Sequence, residues 1–130
     1  MNKFKRVYIK EELVALTGDH RSAIILNQLI YWSERVRDIE EFIEEEKHRD
    51  GCSRELTKGW FAKTSEELAK ETLTHMAPAT MRRYLKKLVI GGWLNERPNP
   101  IDKRDHTKQY RVSIANIQKD LQKLGYTLQD

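Results

Sequence analysis

The fold of this chain is decided by the stretch Pro78-Ala-Thr-Met-Arg-Arg-Tyr-Leu-Lys-Lys-Leu-Val-Ile-Gly-Gly92. Proline suits the first turn of a helix, where its missing N–H group costs no hydrogen bond, and the glycine pair ends the apolar pattern. On a helix with 3.6 residues per turn, Met81, Leu85 and Leu88 share one narrow side. The stretch therefore predicts a helix over residues 78–90 with one buried side and one basic side.

The basic side of this helix has the residue types that contact DNA. Ala79 and Thr80 are small, so they allow close approach and can touch a thymine methyl group. Arg83 is the best candidate for a two-pronged contact to guanine, worth about 1–3 kcal/mol of discrimination. The remaining cations are placed for phosphates, which set affinity without reading sequence: Arg82, Lys86 and Lys87. The alternative is a solvated basic face without a ligand.

A second helix is predicted immediately before the basic one. Thr64 and Glu67 have the spacing of a capping box, in which each side chain accepts a hydrogen bond from the other residue's backbone N–H. A link over residues 72–77 follows. Ala77, at the start of the basic helix, is a poor N-cap, so we expect a bound phosphate to help order that start.

Three short segments predict a small antiparallel sheet: residues 59–62, 93–97 and 108–112. The alternation of the last two predicts that Leu94, Tyr110 and Val112 point to the core, whereas Gln109 and Arg111 point to solvent.

A loop over residues 98–107 joins the last two strands and has Lys103 and Arg104 near its tip. It is long enough to lie along a minor groove or a phosphate ridge, and arginine is favoured in a narrow minor groove. Arg97 and Lys108 stand at its two ends and are included among the expected DNA contacts. The alternative is an ordinary surface hairpin loop.

The N-terminal part predicts two more helices. One covers residues 10–16 and stops at Gly18; Asp19 is the N-cap of the next. Six apolar residues then follow at steps of 4, 3, 4, 3 and 4, forming a heptad-like seam: Ile25, Leu29, Trp32, Val36, Ile39 and Ile43. The seam either packs on its own domain, as a solvated acidic helix in its second half, or pairs with a second copy in a homodimer. A kink near residues 35–38 is equally compatible with the pattern. Residues 114–124 predict a short C-terminal helix.

Composition agrees with a nucleic-acid ligand. The net charge is +4, but residues 57–112 have twelve Lys and Arg against six Asp and Glu, while residues 1–56 have ten against twelve. No apolar run reaches the roughly 18 residues of a membrane span, and the first residues lack the pattern of a secretion signal. The single cysteine, Cys52, fits a reducing compartment. We therefore expect a cytoplasmic protein.

The sequence offers no enzyme signature. The histidines lie in unrelated segments without the spacing of metal ligands: His20, His48, His75 and His106. There is no Ser/His/Asp order and no phosphate-binding glycine loop. We expect neither a metal, nor a cofactor, nor catalysis.

These motifs carry a resemblance to a known family. Residues 64–112 resemble a winged helix-turn-helix domain: capped helix, turn, basic helix, Gly-Gly, Trp-Leu, loop and Tyr-Arg-Val occur in that order. The segments Ala23-Ile-Ile-Leu-Asn-Gln-Leu-Ile-Tyr-Trp32, behind Gly18, and Gly59-Trp-Phe61 are similar to replication-initiation and replisome-organiser proteins of bacterial phages, plasmids and integrative elements, including DnaD-like N-terminal domains. The resemblance covers residues 7–112. It implies double-stranded DNA as ligand, a role in replication initiation, and other replication proteins as partners.

The sequence thus predicts one domain, mainly α-helical with a small antiparallel β-sheet. Its parts are an N-terminal helical extension (1–56), a winged helix-turn-helix (57–112) and a C-terminal helix with a tail (113–130). Binding of double-stranded DNA for replication of a mobile element is the leading hypothesis. The alternatives are a transcriptional regulator on the same scaffold, or a protein–protein interaction module that uses it.

Overall fold

The structure, a computed structural model, describes residues 6–48, 56–100 and 107–128. This part of the chain is mainly α-helical with one small antiparallel sheet, as the sequence predicts. It contains six helices and three strands in the order α1 Glu11–Thr17, α2 His20–Ser33, α3 Ile39–Lys47, β1 Phe61–Lys63, α4 Ser65–Glu71, α5 Pro78–Ile90, β2 Leu94–Arg97, β3 Lys108–Val112 and α6 Ile114–Lys123. Within these residues, no helix is both long enough and apolar enough to span a membrane.

The first two helices begin and end as their capping residues predict. Gly18 ends α1 in the left-handed conformation, with a φ of 78°, which glycine adopts without steric cost. The Asp19 side chain caps α2 by accepting a hydrogen bond of 3.0 Å from the Ser22 N–H. Leu13 of α1 and Ile25 of α2 are fully buried, so the N-terminal helices are part of the core.

The heptad-like seam is not one continuous helical surface. Helix α2 ends at Ser33 and α3 starts at Ile39, so the helix is interrupted around residues 35–38, where the sequence is compatible with a kink. Ile25 and Leu29 lie in the core with no exposed surface, whereas Ile43 is 44% exposed. The six seam residues therefore do not present a single face to a second copy.

The break is associated with a long-range contact of Asp38. Both of its carboxylate oxygens lie 3.3 Å from the Gly59 N–H, a contact that a helix running straight on from α2 would not make. Phe42 of α3 is consequently buried at 2% exposure. The hydrogen bond from Gly59 to Asp38 and the burial of the Phe42 ring together outweigh the heptad-like pattern, which alone would favour one continuous helix.

The sheet has the strand order β1-β3-β2, and both pairings are antiparallel. Strand β3 has the predicted bounds and β2 starts one residue later than predicted. Strand β1 starts two residues later, because Gly59 has a φ of +85° and cannot continue an extended strand. The Cα of Gly59 lies so close to Phe42 that an added Cβ would be 2.3 Å from a ring carbon.

The front face of the sheet belongs to the hydrophobic core. Leu94 pairs with Val112, and Glu96 pairs with Tyr110, so these four side chains share one face. Leu94, Tyr110 and Val112 are buried, as predicted. Helix α5 packs against α2, α4 and β2. The buried side of α5 is also as predicted: Met81, Leu85 and Leu88 are each at most 1% exposed, and burying each such side chain contributes about 1.5–3 kcal/mol.

The back face of the sheet is covered by α3, and this corrects the prediction that Arg111 points to solvent. Arg111 is fully buried. Its guanidinium group donates to Glu46 at 3.1 Å and to Glu45 at 3.2 Å, and its Nε donates to the Lys58 carbonyl at 2.7 Å. Two acids of the second half of the seam region, Glu45 and Glu46, are therefore internal counter-charges for the sheet.

Candidate nucleic-acid interface

The exposed side of α5 is the most cationic helical surface that the sequence predicts, and the structure leaves it uncovered. Because Met81, Leu85 and Leu88 fix the rotation of the helix, its cations all project outward as exposed side chains: Arg82, Arg83, Lys86 and Lys87. In the described residues, none of the four has a carboxylate oxygen within 4 Å. Within the described part of the chain, their charges are therefore not used in ion pairs.

Individual contacts orient two of these side chains. Arg83 donates from Nη2 to the Thr80 hydroxyl at 3.3 Å, which holds its guanidinium group near the start of the helix. Lys87 lies on the other flank, with Nζ 5.4 Å from the centre of the Tyr84 ring. Burial opposes ionisation of Asp19, but hydrogen bonds from Ser22 and the charge of Lys87 outweigh it and lower the Asp19 pKa. Lys87 therefore faces the start of α2.

The start of α5 is open. Ala77 is extended and provides no side-chain cap, and Pro78 follows it. The first N–H groups of this thirteen-residue helix thus lack a side-chain acceptor from the cap position, as the sequence predicts. Ala79 and Thr80 leave this end of the helix sterically accessible.

A shallow groove separates α5 from the front of the sheet. We call it the α5–sheet groove; its polar and small lining residues are Ala79, Arg82, Arg83, Lys86, Glu96, Lys108 and Tyr110. Lys108 is the cation that β3 contributes, and its side chain is 47% exposed. The structure therefore brings together five of the predicted contact residues, from a helix and from a strand, around one depression.

Tyr110 lies at the bottom of this groove. Burial, followed by the negative charge of Glu96, raises the pKa of Tyr110 to about 12, while the charge of Arg82 acts in the opposite direction. The hydroxyl group therefore stays protonated at neutral pH and adds no negative charge to the groove.

Helix α4 is held in a fixed relation to α5. Thr64 and Glu67 form the predicted capping box, with hydrogen bonds of 3.0 and 3.1 Å. After α4, Leu73 and His75 have positive φ values of 58° and 51°. The N–H groups of Thr74 and His75 both donate to the Ala69 carbonyl, which closes the turn between the two helices.

The other predicted contact residues are placed differently. Arg97 shares the back face of the sheet with its partner Gln109, to which it donates at 2.8 Å, and it lies 4.1 Å from the centre of the Trp60 ring. The sheet thus separates Arg97 from α5. Lys103 and Arg104 lie outside the described residues.

A polar cluster next to the groove was missed by sequence reasoning. The Glu71 carboxylate accepts hydrogen bonds from Gln28, Trp32 and Lys63, at 2.9, 2.6 and 2.6 Å. Burial opposes ionisation of Glu71, but these donors, Lys63 foremost, lower its pKa. The cluster ties α2, β1 and α4 together and uses Trp32, one of the six seam residues, inside the domain. Gln28 and Trp32 are 43 and 39 residues away from Glu71 in the sequence, so the sequence alone gives no signal for these contacts.

No three His, Cys, Asp or Glu side chains within the described residues are grouped as metal ligands would be. Comparisons of the chain with family models, with curated proteins and with solved structures gave no match.

Proposed function

We propose that this protein binds double-stranded DNA as a winged helix-turn-helix. In this proposal α4 and α5 are the two helices of the motif, α5 enters the major groove, and the β2–β3 hairpin is the wing. The supporting observation is the exposed side of α5, with four cations that have no carboxylate partner in the described part of the chain.

The proposed contacts fall into two classes. Ala79, Thr80 and Arg83 lie in the first half of α5 and contact base edges, with Arg83 directed at guanine. Arg82, Lys86 and Lys108 border the α5–sheet groove and contact phosphates. Lys87, beside the start of α2, contacts a phosphate on the opposite flank. Arg97 is assigned to the sheet and not to DNA, because it stacks on Trp60 on the back face.

The distribution of charge supports the same orientation. Helix α3 exposes Glu40, Glu41 and Glu44 on the side of the sheet that faces away from the core and from α5. A duplex is repelled by that side and attracted by the basic helix, so the electrostatic field favours encounters in the productive orientation.

The process that this binding serves is proposed from the resemblance: initiation of replication of a phage, plasmid or integrative element. Transcriptional regulation is the alternative within DNA binding. Selection of bound duplexes from a random pool separates the two, since a palindromic site near the protein's own gene favours regulation.

The DNA-binding proposal is tested with Arg82→Ala/Arg83→Ala. Affinity for a fluorescent duplex is measured by anisotropy at several salt concentrations. We expect wild-type log K to fall against log salt with a slope of about −4.5 to −6, for five to seven neutralised phosphates. The double variant should bind at least about tenfold more weakly, with a slope smaller by about 0.9, because only Arg82 of the pair is assigned to a phosphate.

The matched control is Lys119→Ala/Lys123→Ala, which removes the same charge from exposed positions of α6. It should retain most of the affinity. Equal binding by the wild type and the Arg82/Arg83 variant would contradict the proposal and favour a protein-interaction module.

A further inference from the structure

The α5–sheet groove contains one acid among its cations. In the described part of the chain, Glu96 is the only carboxylate that lines this groove, beside Arg82, Arg83, Lys86 and Lys108. Its Oε2 lies 3.7 Å from Lys108 Nζ, and its side chain is 21% exposed. Among the described residues, Glu96 is thus the nearest anion to Lys108, a cation that the proposed function assigns to a phosphate.

The position of Glu96 follows from the register of the sheet. Glu96 pairs with Tyr110 on β3 and therefore points to the front face, toward α5. The negative charge of Glu96 is close enough to the Tyr110 hydroxyl to raise its pKa, and the positive charge of Arg82 acts on the same hydroxyl in the opposite direction. The carboxylate thus acts on the centre of the groove as well as on its rim.

A phosphate that enters this groove meets two opposing effects. The cations attract it, but Glu96 repels it and already neutralises Lys108. Binding of the phosphate therefore has to break the Glu96–Lys108 ion pair and to bring two anions near each other. The affinity of the groove for any polyanion is lower than its four cations alone would give.

We propose that Glu96 is a built-in competitor of DNA phosphate that sets the affinity of the α5–sheet groove. In the free protein Glu96 holds Lys108, and binding transfers Lys108 to the DNA backbone. Glu96 thereby weakens sequence-independent binding, so that a stable complex requires the base contacts of α5. This inference rests on the proposed DNA-binding function and adds a residue that limits it.

The test is Glu96→Gln, which keeps the shape of the side chain and removes its charge. We expect this variant to bind every duplex more tightly by the same factor, about three- to tenfold at about 0.1 M salt. The factor is the same because phosphates contain no sequence information. The slope of log K against log salt should change little, because Lys108 contacts the backbone in both proteins and the number of neutralised phosphates is the same.

Two controls isolate the local effect. Glu40→Gln removes the same charge from an exposed position on α3 and measures the effect of net charge alone, which should be smaller. In a Lys108→Ala background, the gain from Glu96→Gln should shrink, because the competition for that cation is gone.

The outcomes separate this inference from the proposed function. A gain no larger than that of Glu40→Gln, or a loss of affinity, would overturn the role of Glu96 while wild-type binding stands. A gain confined to particular sequences would also overturn it, because Glu96 would then read bases. Absence of duplex binding by the wild type in dilute buffer would overturn both.

Discussion

At the residue scale, Arg111 shows how a permanent charge is held inside a small domain. A guanidinium group cannot be deprotonated at neutral pH, so burial requires counter-charges and acceptors in place. Glu45 and Glu46 of α3 provide the charges and the Lys58 carbonyl provides a further acceptor. The same carboxylate of Glu46 also accepts from the Ala115 N–H at the start of α6, at 3.1 Å. Arg111 therefore joins the sheet to two helices.

Replacing Arg111 with Met should destabilise the protein by about 3–5 kcal/mol, because the Glu45 and Glu46 carboxylates then lose their counter-charge. Urea unfolding followed by circular dichroism measures the loss. Arg97→Met is the control on the same face of the sheet: it removes only a hydrogen bond to Gln109 and a contact with Trp60, and should cost about 1 kcal/mol. Equal, small losses would show that Arg111 is not the link between α3 and the sheet.

At the scale of elements, the sequence predicts what depends on neighbours along the chain. Helix α5 has its predicted bounds because Pro78 and its apolar spacing are local signals, and the capping box fixes the start of α4 for the same reason. The seam pattern left open where its second half packs, and the alternation of β3 wrongly predicted an exposed Arg111, because both depend on where α3 docks. A strand's alternation tells which residues share a face, but not whether a helix covers that face. The charge pattern of the groove could be predicted; the pairing of Glu96 with Lys108 required the register of the sheet.

The junction between α3 and β1 makes a prediction of its own. Gly59→Ala should cost more than Gly125→Ala, although both glycines have nearly the same φ, +85° and +82°. An added Cβ at Gly59 meets the Phe42 ring at 2.3 Å, whereas at Gly125 nothing lies within 4 Å. We expect about 1–2 kcal/mol for the φ strain in each case and a further 1–3 kcal/mol, roughly, for overpacking at Gly59. Thermal unfolding of both variants measures the difference, and equal losses would contradict the packing of Phe42 against Gly59.

At the scale of the whole molecule, the two sides of the sheet carry helices of opposite charge. The acidic helix α3 lies behind the sheet and neutralises it internally through Arg111. The basic helix α5 lies in front, where its four cations are exposed. A net charge of only +4 thus hides an oriented distribution, which suits the approach of a long polyanion from one side. Glu96 moderates that attraction in the groove itself.

The proposal that a duplex contacts the exposed side of α5 can be examined directly by NMR, by following backbone amide resonances while a short duplex is added at moderate salt. We expect perturbations concentrated in residues 78–90 and around Lys108, with α3 and α6 nearly unchanged. Perturbations concentrated in α3 or α6, with residues 78–90 unaffected by saturating duplex, would contradict it.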